Sequence, residues 1–425
     1  MRLCESLFRR RRIVAVVSME RPAPIRRFVD YAAIGKESWR RATYEREPAM
    51  KNVRFVGLDV HAETIAVAVA EPDGEVRSLG VIANRIEAVK KLLKKLGQPE
   101  QLRVCYEAGP TGYVLYWQLT QLGVKCCVIA PNLVPMKATD RIKTDRRDAE
   151  RLARSFRAGD LTPVWIPDAA HEALRDLVRA RLVARRDQLR ARNRLSRFLL
   201  RHGCRPPEKV RPWTQFYFRW LQHMHFEHAA LEATLTDYLY EVEHAGARIE
   251  RLERAIDAAV EHVPGRLRAV IDALQALRGV AKLGAVTLAA ELGTLTRFAH
   301  PRQLMGYSGA VPSEHSSGER IRRGAITKCG NAHLRRIVIE AAWAYRYRPV
   351  ISRTLAPRQR NQSEAVKAIA WKAQHRLHVR YCRLVARGKS KQQAITAVGR
   401  ELIGFIWAIG VETERAFSTH AATAA

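Results

Sequence analysis

Cysteine is scarce and unpatterned in this chain. There are seven, at Cys4, Cys105, Cys126, Cys127, Cys204, Cys329 and Cys382, an odd number without a single C-x-x-C pair. That excludes a regular disulfide framework or the common zinc spacings, and reads as reduced thiols in a cytoplasmic protein. Long apolar runs are missing too: none approaches the ~20 residues that a membrane-spanning helix needs. Acidic residues are the third shortage, with Asp and Glu totalling 42 against 74 Lys and Arg over 425 residues, a formal net charge of +32. A surplus of this size attracts polyanions, and nucleic acid is the expected partner because neutralised phosphates release condensed counterions. Hydrophobic residues still make up 47%, enough for a sizeable core, and the length suggests two or three domains.

Residues 1–49 carry four successive arginines, Arg9 to Arg12, and no sustained periodicity. The apolar stretch Ile13–Val17 is too short for a signal-peptide core. The segment reads as a disordered extension or a mis-annotated upstream start, with the domain beginning at Met50. From there the pattern becomes regular. Val53–Val60, Thr64–Ala70 and Val76–Ile82 are apolar strands, the last two separated by the turn Pro72-Asp73-Gly74-Glu75. Ile86–Leu96 has helical spacing, Leu102–Glu107 is a fourth strand, Tyr113–Leu122 a helix, Lys125–Ala130 a fifth strand, and a helix runs from about Asp145 to Ala158. Three strands followed by alternating helices and strands is the order of a ribonuclease-H-like fold, expected over residues 50–165.

Pro163-Val164-Trp165-Ile166-Pro167 reads as a linker into a helical, coiled-coil region over 166–265. Its first long helix, His171–His202, bears a leucine-rich face and ten arginines. Arginine's planar fork suits phosphate, which makes Arg185, Arg186 and Arg190 candidate nucleic-acid contacts. A second long helix, about Ala229–Val263, is placed to pair with it. Trp213, Phe216, Tyr217, Phe218 and Trp220, lying between the two, are expected in the core. Pro264-Gly265 ends this region. A mostly helical, basic domain follows over 266–415, with helices at Ala365–Arg376 and His378–Leu384, and residues 416–425 are a tail.

The chemistry concentrates on four acids. Asp59 ends the first strand and Glu107 the fourth, strands that are neighbours in a ribonuclease-H sheet. Asp145 and Asp148 stand three apart at the start of a helix and therefore share a face. Four carboxylates brought together repel unless cations neutralise them. An all-oxygen set suits Mg2+, and two such ions about 4 Å apart stabilise the attacking and leaving oxygens of a phosphodiester. Arg141, Arg146 and Arg147 lie beside these acids as phosphate contacts. Taken singly, each acid is as readily a strand-end or helix-start residue; the joint placement carries the reading.

Val56-Gly57-Leu58-Asp59-Val60-His61, Tyr106-Glu107-Ala108-Gly109-Pro110 and Lys143-Thr144-Asp145-Arg146-Arg147-Asp148-Ala149 resemble the Asp-Glu-Asp-Asp motifs of the insertion-sequence 110 family of bacterial transposases. The first domain of that family is similar to RuvC-like junction resolvases. Gly306 to Glu319, running on to Arg322-Arg323-Gly324 and Lys328-Cys329-Gly330-Asn331, resembles the family's C-terminal transposase domain. The resemblance implies that Asp59, Glu107, Asp145 and Asp148 are metal ligands. It also implies a nucleophilic serine, Ser317 with Ser316 as the alternative, flanked by Arg320, Arg322, Arg323 and Lys328. It further implies guidance by a structured non-coding RNA and assembly as a homo-oligomer, a dimer or tetramer. Leu277 to Gly284 resembles a helix–hairpin–helix, with Ala281 in place of its usual second glycine. The expected function is metal-dependent DNA cleavage and rejoining. The alternatives are a junction nuclease that needs only the four acids, and an inactive nucleic-acid-binding relic.

Overall fold

The computed structural model describes residues 53–136, 143–318 and 320–424. The expectations for residues 1–49 and for Arg141 fall outside them. The chain divides into two compact units, one ending at Val164 and the other beginning at Trp165.

The first unit is a five-stranded sheet with helices. Strands β1 (Arg54–Val60), β2 (Thr64–Ala70), β3 (Val76–Ala83), β4 (Leu102–Glu107) and β5 (Lys125–Ile129) lie in the order β3-β2-β1-β4-β5. The first three are antiparallel neighbours, and β4 and β5 join β1 in parallel. This is the strand order expected of a ribonuclease-H-like sheet. Helices α1 (Ile86–Leu96) and α2 (Val114–Gln121) connect the strands, and α3 (Asp145–Arg157) follows β5. Small side chains decide how α3 packs. Ala149 and Ala153 of the helix meet Ala66, Ala68 and Ala70 of β2 in one buried cluster. At Gly57, in the middle of β1, an added Cβ would lie 2.4 Å from the carbonyl oxygen of Ala149 and the amide of Ala153. Glycine is required there because the helix backbone rests directly on the strand.

The second unit is helical apart from one hairpin. Helix α4 (Ala169–Arg201) pairs along its length with α6 (Ala229–His262), and α5 (Gln215–Gln222) lies between them in sequence. Phe198, Leu221, Leu235 and Val242 form a separate small core there. Tyr217 is buried in it, and Trp213, Phe218 and Trp220 pack against it, as expected. Phe216 does not: it is 67% exposed, because it falls on the outer face of a helix of barely two turns.

Helices α7 (Gly265–Leu274), α8 (Lys282–Leu292), α9 (Pro301–Tyr307), α10 (Ala332–Ala342), α11 (Ala356–Gln359), α12 (Glu364–Ala386) and α13 (Lys391–Ala424) complete the unit. The two helices expected over Ala365–Leu384 are the single helix α12. The large core joins α4 and α6 to these later helices: Leu174, Val178, Ile256 and Val260 pack with Leu277, Val286 and Leu402. Helix α13 is the most apolar of the long helices among the described residues. Over Lys391–Thr419 it is long and apolar enough to cross a membrane by length and composition, although charges interrupt its apolar run. Its apolar residues Val398, Leu402, Ile406 and Ile409 are buried in the core of this unit, which accounts for that composition.

Candidate functional site

Asp59 and Glu107 reach one end of the sheet through strand register. Parallel pairing of Leu58 with Tyr106 leaves Asp59 and Glu107 side by side at the next step. Thr144 caps α3, its Oγ1 accepting a hydrogen bond from the Arg147 amide at 3.4 Å. The cap starts the helix at Asp145 and puts Asp145 and Asp148 in its first turn, where the helix dipole favours anions.

Asp59, His61 and Asp145 each offer a ligand atom, and the three atoms lie within 4.8 Å of one another. His61 Nε2 is 3.4 Å from an Asp59 oxygen and 3.6 Å from an Asp145 oxygen. Asp148 is buried next to Arg151, whose NH2 lies 2.7 Å from Asp148 Oδ1 and 3.9 Å from Glu107 Oε1. The Asp148–Arg151 contact is an ion pair without hydrogen-bond alignment, so Asp148 Oδ1 is a buried oxygen on which no donor is directed. Burial raises the Asp59 carboxyl above its ordinary value, and nearby Asp148 and Asp145 push in the same direction against His61. Burial likewise raises Glu107, with Asp148 and Asp59 adding to it and Arg151 opposing. Asp59 and Glu107 are thus both raised by burial and by neighbouring carboxylates of the cluster. Clustered carboxylates with an undirected buried oxygen, joined by one imidazole, fit a divalent cation such as Mg2+ or Mn2+.

Two members of this cluster had no role in the sequence reading. His61 stands just past the end of β1, in the quoted motif but unassigned, and Arg151 lies one turn beyond Asp148. An acid-histidine pair two residues apart was the available signal for the first; nothing local marked the second. Among the arginines expected beside the acids, Arg146 is tied to Glu150 at 2.9 Å, and Arg147 is exposed.

The serine segment is a hairpin of β6 (Pro312–Glu314) and β7 (Arg323–Ile326). Ser316 Oγ is engaged on both sides, donating to Glu314 at 2.9 Å and accepting from the Arg322 amide at 3.2 Å. Ser317 is exposed near the tip, where its backbone pairs with Arg320 and Gly318 takes a positive φ of 56°. Arg323 is bound to Glu314 at 3.3 Å, whereas Arg320, Arg322 and Lys328 are exposed. The base of the hairpin is closely packed. Cβ atoms added at Gly309 or Gly330 would lie 2.3 Å from the Cys329 carbonyl or 2.1 Å from the Tyr307 carbonyl, and both glycines have positive φ.

Several arginines of α4 are paired with carboxylates of the same unit, whether buried, as Arg175, or exposed, as Arg194. Arg179 forms a two-point pair with the fully buried Glu291, at 2.8 and 2.9 Å, and Arg175 approaches the same carboxylate at 3.9 Å. Arg181 is bonded to Glu253 and Arg194 to Glu241. The three candidates named from sequence, Arg185, Arg186 and Arg190, are all exposed; Arg185 also donates to Gln188 and Arg190 to Asp187. The helix–hairpin–helix-like segment has a packing reason for its glycine: a Cβ at Gly279 would lie 2.4 Å from the Ala341 carbonyl of α10.

A profile of the transposase family whose members carry the Asp-Glu-Asp-Asp motifs matches residues 56–203, and one described as transposase of the IS116/IS110/IS902 family matches residues 271–355. The chain is 47% identical to the Sinorhizobium fredii protein y4qE, named a transposase, over 86% of this chain and 90% of that one. This chain belongs to the IS110 transposase family. It is also 33% identical to the transposase for insertion sequence element IS1533 of Leptospira borgpetersenii, covering 80% of this chain and 99% of the relative. The transposase is thus an enzyme acting on DNA, and its acidic cluster lies in the segment that the first profile matches.

Proposed function

We propose that this transposase cuts and rejoins DNA with a divalent metal centre in its first unit and a serine nucleophile in its second. The observation that carries the proposal is the acidic cluster: Asp59, His61 and Asp145 offer ligand atoms within 4.8 Å of one another, beside Glu107 and a buried Asp148. Asp59, Glu107, Asp145 and Asp148 would hold the metal, taken as Mg2+, and His61 would bridge two of them. When bound, the metal neutralises charge on the nonbridging phosphate oxygens and on the leaving oxygen. Ser317 Oγ attacks phosphorus and gives up its proton; a bridging P–O bond breaks, and the freed sugar oxygen takes a proton. The ester so formed preserves the phosphodiester linkage for rejoining, whereas a hydrolytic nuclease would discard it. Arg320, Arg322 and Lys328 are placed on the same hairpin to hold phosphate charge.

The exposed hydroxyl of Ser317 at the hairpin tip supports its assignment. A specific observation favours Ser316 as the second reading, since its hydroxyl already faces the Glu314 carboxylate, a ready proton acceptor. The strong positive charge supports a structured non-coding RNA as guide. In this reading 50–165 is the catalytic domain, the paired helices α4 and α6 make up a coiled-coil region at 166–265, and 266–415 is the transposase domain, with whose helices they share a core. The protein then acts on cellular DNA in the bacterial cytoplasm, and the resemblance to its family supports a homo-oligomer, a dimer or tetramer.

The test is mass spectrometry of protein trapped on nicked substrate DNA, with strand-transfer assays alongside. A nucleotide adduct on Ser317 is expected. Asp145→Asn should abolish transfer while DNA binding persists. If Ser317→Ala still exchanges strands and Ser316→Ala does as well, the junction-nuclease reading replaces this one. A wild-type chain that binds DNA but never cuts it would be the inactive relic.

A further inference from the structure

A second nucleic-acid feature stands apart from both the acidic cluster and the serine hairpin. Between Glu340 and Glu364 the chain carries Arg346, Arg348, Arg353, Arg358 and Arg360 and no acid at all. In the middle of this stretch Tyr347 is 53% exposed, and Val350 and Ile351 beside it are also open to solvent. Two arginines approach the Tyr347 ring, and half of the residue stays open to solvent.

The ring is held, not loose. Arg346 lies 4.6 Å from its centroid and bonds its hydroxyl, and Arg278, reaching over from the α7–α8 connection, lies 5.9 Å away. Arg278 also donates to the backbone carbonyls of Tyr347, at 3.3 Å, and Arg348, at 2.7 Å. The loop is anchored on either side by buried groups. Tyr345 is sunk in the core before it, Leu355 after it, and the Val350 amide donates to the buried Gln374 at 3.1 Å. Arg348 and Arg353 remain exposed along the loop.

An aromatic ring held among arginines, in a segment without acids, matches what single-stranded nucleic acid requires. A base stacks on the ring, and the adjoining phosphates lie on the guanidinium groups. A protein partner rich in apolar side chains would instead strand the arginines away from water and counter-charge. We propose that Tyr347 is a stacking platform for an unpaired nucleobase, flanked by phosphate contacts from Arg348 and Arg353. This goes beyond the proposed chemistry and does not depend on it, because stacking needs neither the metal nor Ser317.

Binding is measured on the full chain in EDTA, so failure of the metal proposal leaves the result unaffected. The probes are labelled oligothymidylate, oligouridylate, an abasic strand of equal length and a blunt duplex. Tyr347→Leu keeps bulk without a π face; since the ring is half exposed, its thermal transition should match wild type. It is expected to weaken binding of the base-bearing strand about tenfold, with Tyr347→Phe close to wild type. On the abasic strand and the duplex, Tyr347→Leu and wild type should bind alike. The strand with the wider gap, DNA or RNA, identifies the natural source. In parallel, ultraviolet crosslinking of a 5-iodouracil strand should place an adduct on the peptide Tyr347–Arg353. Equal binding of the base-bearing strand by Tyr347→Leu and wild type would overturn the proposal. So would an equal loss on the abasic strand, or crosslinks that map elsewhere and spare Tyr347.

Discussion

Replacing Glu291 by glutamine should destabilise the second unit by about 3 kcal/mol, the lower end of the cost of breaking a buried ion pair. Glu291 is fully buried. Its oxygens take both hydrogen bonds of Arg179 and one from Asn331 Nδ2 at 2.7 Å, with Arg175 at 3.9 Å. Glutamine cannot satisfy this set. Asn331 Oδ1 is occupied by the Leu334 amide at 3.0 Å, so its NH2 must face position 291. A glutamine oxygen at the Oε2 position can accept from Arg179 Nη2 and Asn331 Nδ2, but its NH2 then faces the Arg179 Nε–H; the opposite orientation turns the NH2 on both Nη2 and Nδ2. Arg175, itself buried, keeps its charge without an anion. Arg179 is 42% exposed on its side chain and can turn to water, which discounts its share and sets the estimate at the lower end.

Urea unfolding followed by circular dichroism measures this. With a slope of about 2–3 kcal/mol per molar urea, the midpoint should fall by about 1 M or more. A shift below about 0.3 M would refute the argument, since it would mean that the cluster is solvated. The pH dependence provides a second check. Hydrogen bonds from Arg179 and Asn331 hold the Glu291 carboxyl below its ordinary 4.5, against the opposing effect of burial. A lowered folded value means that the stabilisation is complete above about pH 4.5 and is lost as pH falls through the folded value. The gap between wild type and Glu291→Gln should therefore narrow on acidification below that point. A gap that widened there would reverse the assigned sign.

Gly57→Ala should cost about 1–3 kcal/mol and most of the strand-transfer activity, because the new methyl meets the backbone of α3 and displaces Asp145 and Asp148 from Asp59; full activity with unchanged thermal stability would show that the helix yields freely. Replacing Arg186 and Arg197, both exposed on α4, should lower the slope of log affinity for duplex DNA against log salt by about two. Arg175→Ala and Arg179→Ala should leave that slope unchanged while lowering the thermal midpoint, and a wild-type slope for the Arg186 and Arg197 pair would mean that neither contacts phosphate.

The strand order and the four acids were legible in the sequence because both follow from local rules. Alternating and continuous apolar runs mark strands, and an i, i+3 pair of acids after a threonine marks a helix start. Net charge alone pointed to nucleic acid, and the three acidic motifs pointed to the family. What the arginines do was not legible. Ten of them on one helix look equivalent in sequence, yet Arg179 faces a carboxylate contributed by a residue more than a hundred positions later, and Arg186 faces solvent. Pairing of that kind depends on which helices pack together, and no local periodicity encodes it. The same holds for Arg151 joining Asp148 to Glu107, for Asn331 bonded to Glu291, and for Tyr347, an ordinary tyrosine until the fold leaves its ring half exposed beside two arginines. Local chemistry was determined by the sequence read in short windows; the assignment of each charge, buried or free, was decided only when distant segments came together, because desolvation and partner geometry belong to tertiary packing.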